Sequence, residues 1–356
     1  PTGRCLGRIL GWEGFVRSMG SGRVLVTGAA GFIGSHVVRE LLDAGVTVRA
    51  TVRNPENAEF LKELPGSDHL EIVQMDLMNQ ETVNAAVKDC DDVIHCAAVL
   101  YVGALDKQRD IVDPSITGTQ HLLDAIDAAG GVNRIVHTSS VAAVRRTGYR
   151  HNQTFTNEDW CDDATVESNA YGLAKAGAER LARDWVAAKP EGERPRYVSI
   201  NPSIVWGPVM SKRHLKGSMT VVDHLLKRKP PVLLKMHVNV VDVRDVALAH
   251  VRALTDGKDG GRYIVFNESM WMKDMSRILR AKIPGRKWPR VVLPKTLTYV
   301  LAMFHPLISP GWVKTSIGTS CEYDSSPAVN ELGMDWVPIE DTLVEGAQSA
   351  IDAGWR

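Results

Sequence analysis

Arg23-Val-Leu-Val-Thr27 runs directly into Gly28-Ala-Ala-Gly31-Phe-Ile-Gly34, and an amphipathic pattern continues to Leu42. The first five residues are rich in β-branched and aliphatic side chains, as a buried strand requires, and the stretch after Gly34 has helical periodicity. Glycines between such a strand and helix let the backbone turn tightly, approach a pyrophosphate and seat the helix on the sheet. The free N–H groups and partial positive charge at the helix start favour phosphate. The spacing is Gly-x-x-Gly-x-x-Gly rather than Gly-x-Gly-x-x-Gly, with Ala30 in the middle slot. Gly28, Ala30, Gly31, Phe32, Ile33 and Gly34 are therefore expected to line a dinucleotide site. A purely structural turn is the alternative wherever such a triplet stands alone.

Outward from this turn, strand and helix patterns alternate. Val46–Val52, Leu70–Gln74, Asp92–Cys96 and Arg134–Thr138 read as strands, and 81–88 and 118–129 as helices. Such alternation predicts an α/β fold of Rossmann type, a doubly wound parallel sheet with right-handed crossovers. Residues 21–206 are expected to form this domain, with 238–256 returning to it. From 207 onward the alternation loosens, and 207–237 with 257–356 are expected to form mainly a smaller C-terminal substrate-binding lobe.

The second strand ends Thr51-Val52-Arg53-Asn54. Folds that prefer NAD usually place an acid there, about 20 residues past the turn, to hold the ribose 2′-hydroxyl. A guanidinium suits a 2′-phosphate instead, because it is a permanently charged forked donor. Arg53 thus points to NADP(H), with a solvated surface arginine as the alternative. Asp76-Leu77 follows the third strand, where a carboxylate could accept a bond from the adenine amino group; an N-cap role for Asp76 competes.

Tyr171 and Lys175 stand four apart in the helix-forming run Ala170-Tyr-Gly-Leu-Ala-Lys175. Residues at i and i+4 share a helix face, so the ammonium can lie beside the phenol and favour its anion. Tyr171 could then pass a proton to a carbonyl oxygen as hydride reaches the carbon. Ser140 ends the fifth strand, at the edge where ligands bind in such sheets, and its hydroxyl could hold the same oxygen. A lone Tyr-x-x-x-Lys pair is usually a surface pair; the strand-end serine and the glycine turn upstream make this one a candidate catalytic centre.

The chain's 356 residues include 42 basic and 42 acidic side chains, and this neutral balance points to no nucleic-acid partner and no polybasic membrane surface. Five scattered cysteines without a Cys-x-x-Cys, and histidines without a His-x-x-x-His pair, favour a reducing, cytoplasmic setting and give no metal site. The longest apolar stretch, Leu297–Ile308, is interrupted by His305 and Pro306 and falls short of the roughly 20 residues of a membrane span. It reads as a buried lobe helix, with a substrate lid or membrane-touching patch as the alternative. Residues 1–20 do not read as a secretory signal; they are expected to be disordered or non-native, with Met19 as the native start.

These residues together resemble the extended short-chain dehydrogenase/reductase family, in the branch of dihydroflavonol reductases, cinnamoyl-CoA reductases and microbial aldehyde or ketone reductases. The resemblance runs from about Arg23 to near the C-terminus. Supporting stretches include Val93-Ile-His-Cys-Ala-Ala98, Asn201-Pro-Ser-Ile-Val-Trp-Gly-Pro208, Val240-Val-Asp-Val-Arg-Asp-Val-Ala247, Gly261-Arg-Tyr263 and Glu331-Leu-Gly333. It implies catalytic places for Ser140, Tyr171 and Lys175, with Tyr171 and Lys175 also touching the cofactor. Cys96, Ala97 and Ala98 would border the cofactor ribose, Pro202, Ser203, Ile204 and Val205 the nicotinamide, and Ser218 would reach the cofactor. The second cation expected for the 2′-phosphate has no clear place, since Phe60 stands near that position and Lys62 is merely close. The tryptophan-tyrosine-cysteine signature of plant cinnamoyl-CoA reductases is absent, with Ser168-Asn169-Ala170 before Tyr171 instead, so a CoA-ester substrate is not expected.

The resulting expectation is NADPH-dependent reduction of a ketone or aldehyde, hydrophobic or aryl, to the alcohol. Alternatives are nucleotide-sugar epimerisation or dehydration, sterol dehydrogenation on the same triad, or NADPH sensing without turnover. Val141–Val144, Phe155, Trp160, Trp206, Met210, Met219 and His224 are candidates for the pocket wall, with ordinary core filling as the competing role for each.

Overall fold

The computed structural model describes residues 14–15, 18–19, 22–97, 105–304 and 310–356. Its first unit is the strand-turn-helix read above: β1 (Arg23–Thr27) is buried after its first residue, and α1 (Phe32–Asp43) turns an apolar face onto the sheet. β2 (Thr47–Val52), β3 (Leu70–Gln74), α2 (Gln80–Val87), β4 (Asp92–His95), α3 (Asp113–Ala129) and β5 (Arg134–Thr138) continue the alternation. After a short strand β6 (Gln153–Phe155) come the long helix α4 (Val166–Ala187) and β7 (Arg196–Pro202).

The main sheet has seven strands in the order β11-β7-β5-β4-β1-β2-β3, where β11 is Arg262–Val265. Every pairing in it is parallel. Parallel strands covered on both faces are nearly continuously apolar, which is why these segments were readable as strands. The chain leaves β1 towards β2 and β3 on one side and returns to β4 on the other. The carboxyl ends of β1 and β4 therefore flank a topological switch point, the usual ligand crevice of such sheets; there Thr27 stands opposite His95.

The second sheet, β12-β10-β8, has its own apolar core and combines β8 (Ile204–Trp206), β10 (His237–Asp242) and β12 (Glu268–Trp271). Three strands depart from the expected division. β8 and β10 belong to this small sheet, although 204–206 and 238–242 fell inside the residues assigned to the main domain. β11, assigned to the lobe, closes the edge of the main sheet against β7. A short buried strand has the same apolar pattern whichever sheet receives it, so periodicity could not decide. α6 (Val243–Ala253), preceded by α5 (Thr220–Lys227) and β9 (Val232–Leu234), does return to the main domain and packs on α1.

α7 (Met272–Lys282), β13 (Val291–Leu293), α8 (Lys295–Ala302), α9 (Pro310–Ser316) and β14 (Cys321–Tyr323) extend the lobe, and α10 (Ser326–Leu332) and α11 (Ile339–Asp352) follow. The expected buried helix at 297–308 is corrected for its described residues: α8 carries Leu297, Val300 and Leu301 on the outside. Residues 305–308 of that stretch lie outside the described residues, as does most of 1–20; Phe15 and Met19 are described and pack into the main core. No described helix is long and apolar enough to cross a membrane.

Candidate functional site

The glycine turn is dictated by contact. Gly28 has φ 66°, and a Cβ there would stand 2.8 Å from Ala97 Cα and N. A Cβ on Gly34 would stand 2.4 Å from Gly28 O, below any tolerable contact. Gly31 caps α1 in extended conformation without a side-chain cap, so the N–H groups of Phe32, Ile33 and Gly34 head an uncapped helix end. Ala29 N donates to Thr51 O at 3.1 Å, tying the turn to the end of β2. Ala97 N donates to Thr27 Oγ1 at 3.0 Å, which holds Cys96 and Ala97 across from Gly28. Ala98 lies outside the described residues.

Arg53 is exposed two residues past Thr51, beyond the end of β2. Lys62 is engaged by Glu59, with Nζ at 2.9 Å from both carboxylate oxygens. The N-cap role weighed for Asp76 falls to Asn79, whose side chain accepts from Glu81 N at the start of α2. Asp76 Oδ1 instead accepts from Met78 N at 3.0 Å in a local turn, and the carboxylate stays exposed. Leu77 wedges against Gly118 of α3, 3.1 Å from where a Cβ would be.

His214, which sequence reasoning missed, closes on this side of the turn. Its ring lies 5.6 Å from those of Phe32 and Phe60. Met210 N donates to Nδ1 at 3.3 Å, which assigns the proton to Nε2, 3.2 Å from Ala30 O. Burial pushes the imidazole down to about 4, so it is neutral at physiological pH. The turn Lys212–Leu215 thus sits on the glycine loop with Lys212 and Arg213 exposed beside it. Only a basic run, Lys212-Arg213-His214-Leu215-Lys216, could have drawn attention to it.

Ser140 and Tyr171 come together beyond the end of β5, and Lys175 reaches the last carbonyl of that strand. The Ser140 side chain accepts from Ala142 N at 3.1 Å, and its carbonyl accepts from Asn201 Nδ2 at 3.3 Å. α4 breaks at Asn169 (φ −159°, ψ 66°), whose Oδ1 accepts from Gly172 N at 3.0 Å. Asn169 is thereby the N-cap of a fresh helical segment, with Tyr171 in its first turn, where the helix dipole favours negative charge. Burial raises the Tyr171 phenol above its usual value, opposed by a side-chain hydrogen bond with Ser140. The lowering by Lys175 expected from the sequence is thus corrected, because the Lys175 ammonium turns to the backbone and donates to Thr138 O at 2.8 Å. Burial pushes Lys175 down to about 8, against the support of Cys96 and Glu179.

Glu179, one turn beyond Lys175, was also missed. It is fully buried, pairs with Arg262 at 2.7 Å and Arg183 at 3.4 Å, and accepts from Ser139, Ser199 and Asn201. Burial works to raise its pKa, yet the guanidiniums, Arg262 foremost, hold it below the usual carboxylate value. Arg262 further donates to Ala143 O, Asn157 O and Asp159 O and lies 3.8 Å over the Trp160 ring. One ion pair thus joins the neighbours of Ser140, the end of β7 and the loop carrying Trp160.

At the end of β7, Pro202 and Ser203 pass into Ile204 and Val205 of β8. The Ser203 hydroxyl and Asn201 Oδ1 are buried without a hydrogen-bond partner among the described residues. Orphaned buried polar atoms are costly and mark a place where a polar ligand group fits. Together with the cradle that only glycine can form, they fit a dinucleotide laid from the α1 N-terminus to β7. Ser218 reaches Trp206 through its carbonyl, which accepts from Trp206 Nε1 at 3.0 Å. Of the expected pocket residues, Trp206 and Met219 are fully buried in the lobe core, and Val144 and Phe155 in a separate cluster, so they fill cores instead.

The sequence profile of the NAD dependent epimerase/dehydratase family matches residues 24–267. An uncharacterised oxidoreductase of Schizosaccharomyces pombe is 34% identical over 286 residues, covering 74% of this chain and 83% of that protein. Cinnamoyl-CoA reductase 1 of Petunia hybrida is 30% identical over 345 residues, 95% of each chain. Among solved structures, yeast methylglyoxal/isovaleraldehyde reductase Gre2 complexed with NADPH superposes with a TM-score of 0.76 at 26% identity, covering 94% of this chain and 99% of that one.

Proposed function

The chain belongs to the NAD dependent epimerase/dehydratase family, and from that premise we propose that it is an NADPH-dependent reductase of aldehydes or ketones. The observation that supports this reading is the hydrogen bond between the Ser140 and Tyr171 side chains at the carboxyl edge of the main sheet, with Lys175 of the same helix held to Thr138 O. The NADPH-bound yeast reductase and the plant reductase among its relatives support the cofactor and the direction of the reaction.

The residues that would hold the dinucleotide are the first-turn N–H groups of α1 for the pyrophosphate, Arg53 for the 2′-phosphate and Ser203 for the nicotinamide end. When bound, the cofactor supplies the hydride. Ser140 orients the carbonyl oxygen of the substrate by hydrogen bonding, while Ala142 N holds its hydroxyl and Asn201 holds its backbone carbonyl. Tyr171 holds the proton that this oxygen receives. A phenol raised by burial is fully protonated at neutral pH, the form a donor needs. Lys175 remains charged below about pH 8 and anchors α4 to Thr138. The helix dipole would stabilise the phenolate left behind.

The test is NADPH consumption with a panel of aryl ketones, aliphatic aldehydes and diketones. Tyr171→Phe is expected to lower turnover by about 10²–10⁴-fold while leaving NADPH binding intact. A variant that keeps near-normal rates, or a native protein that binds NADPH but reduces nothing in the panel, overturns the reading.

A further inference from the structure

Although the chain is neutral as a whole, its charge is segregated. Between Met275 and Cys321 there is no Asp or Glu and there are eight Lys or Arg. α8 lies in this stretch and is apolar on the outward side. Thr298 and Ala302 face inward, Ala302 against Val313 and Ile317. Leu297, Val300, Leu301 and Phe304, spaced i, i+3, i+4 and i+7, are 44%, 46%, 51% and 83% exposed. Large side chains have thus been placed in water while small ones were buried, the reverse of what a lone lobe helix needs. Trp312 of α9 adds a partly exposed aromatic ring nearby.

Cations rim this stripe. Lys295 Nζ donates to Lys314 O at 2.9 Å, and Lys314 Nζ lies 5.4 Å over the Tyr299 ring. Lys235 and Lys295 approach the same point at Gly318, 3.8 and 4.0 Å from where a Cβ would be. Among the described residues these three heads therefore meet a carbonyl and aromatic rings rather than a carboxylate, whereas Arg277 and Lys282 pair with Asp274 and Glu340.

We propose that the α8–α9 face docks on an anionic phospholipid bilayer, with Leu297, Val300, Leu301 and Phe304 entering the headgroup boundary and Lys235, Lys295 and Lys314 meeting lipid phosphates. A short helix with an apolar face and a basic rim has the chemistry of an interfacial anchor, and each lysine adds electrostatic attraction to anionic lipid. A second copy of this chain would set cations against cations. The docking is peripheral: the protein would lie on the bilayer without spanning it.

Co-sedimentation with vesicles of phosphatidylcholine alone, and of phosphatidylcholine with phosphatidylserine, tests this. The protein is expected to pellet with the phosphatidylserine vesicles only and to be released by salt. Leu301→Asp with Phe304→Asp should weaken binding by about tenfold or more, and Lys295→Glu with Lys314→Glu by at least about fivefold per charge removed. Circular dichroism and melting should match the native protein; the lysine variant supplies the test if the apolar variant does not fold. Failure to pellet with phosphatidylserine vesicles overturns the proposal, as does undiminished pelleting of folded variants. A salt-stable dimer that Leu301→Asp dissociates, without vesicle binding, overturns it in favour of a second copy.

Discussion

Replacing Lys175 with methionine removes a buried charge, and the structure sets both the size and the pH signature of the effect. Burial holds the ammonium at about 8 in the folded protein, whereas the unfolded chain restores about 10.4. At about 1.4 kcal/mol per unit, folding near neutral pH works against the charged lysine by about 3 kcal/mol. Methionine avoids this cost and forfeits the hydrogen bond to Thr138 O, which contributes about 1 kcal/mol. The variant is therefore expected to be more stable by about 2 kcal/mol near pH 7, while losing activity. The folded pKa is depressed, so between about 8 and 10.4 the unfolded chain holds a proton that the folded protein has released, and native stability rises with pH across that window. The variant has no such rise. Its advantage should shrink by about 1 kcal/mol between pH 7 and pH 9, however the methionine packs. Urea unfolding of both proteins without cofactor at a series of pH values measures this difference. An advantage that stays flat or grows with pH refutes the reasoning, because the lysine would then titrate alike in both states.

Glu179→Ala leaves Arg262 buried without its carboxylate and should destabilise by about 3–5 kcal/mol in urea unfolding, with a change below 1 kcal/mol counting against the hub. Arg53→Glu should weaken NADPH binding by about tenfold or more and NADH binding much less; an unchanged ratio by fluorescence titration would mean that Arg53 does not read the phosphate. Gly34→Ala drives a Cβ into Gly28 O and should lower NADPH affinity at least about tenfold, as measured by calorimetry, through displacement of the turn.

The strand-turn-helix at Arg23–Asp43 was legible because its information is local: β-branched residues, three glycines and a helical period fall within one short stretch. The parallel sheet followed for the same reason, since buried strands separated by helices repeat one pattern. Sheet membership was not legible. β8 and β10 read like strands of the main domain, and β11 sits at its edge despite following the lobe's first half. The Tyr171 and Lys175 spacing was visible along one helix, but the break at Asn169 was not, because an asparagine in a helix-forming run signals a cap only when its side chain turns back to Gly172 N.

By itself the sequence determined which segments become strands and helices, where the backbone must be glycine, and which hydroxyls and amine share a helix or strand end. Only the tertiary structure decided what those groups touch. Glu179 and Arg262 are 83 residues apart and His214 and Ala30 184 apart, so their pairing depends on how the chain returns across the sheet. It also decided that Lys175 would lose water and face Thr138, and that Leu301 would stay outside while Ala302 went in. Periodicity is a property of neighbours along the chain, whereas burial and charge pairing are properties of neighbours in space.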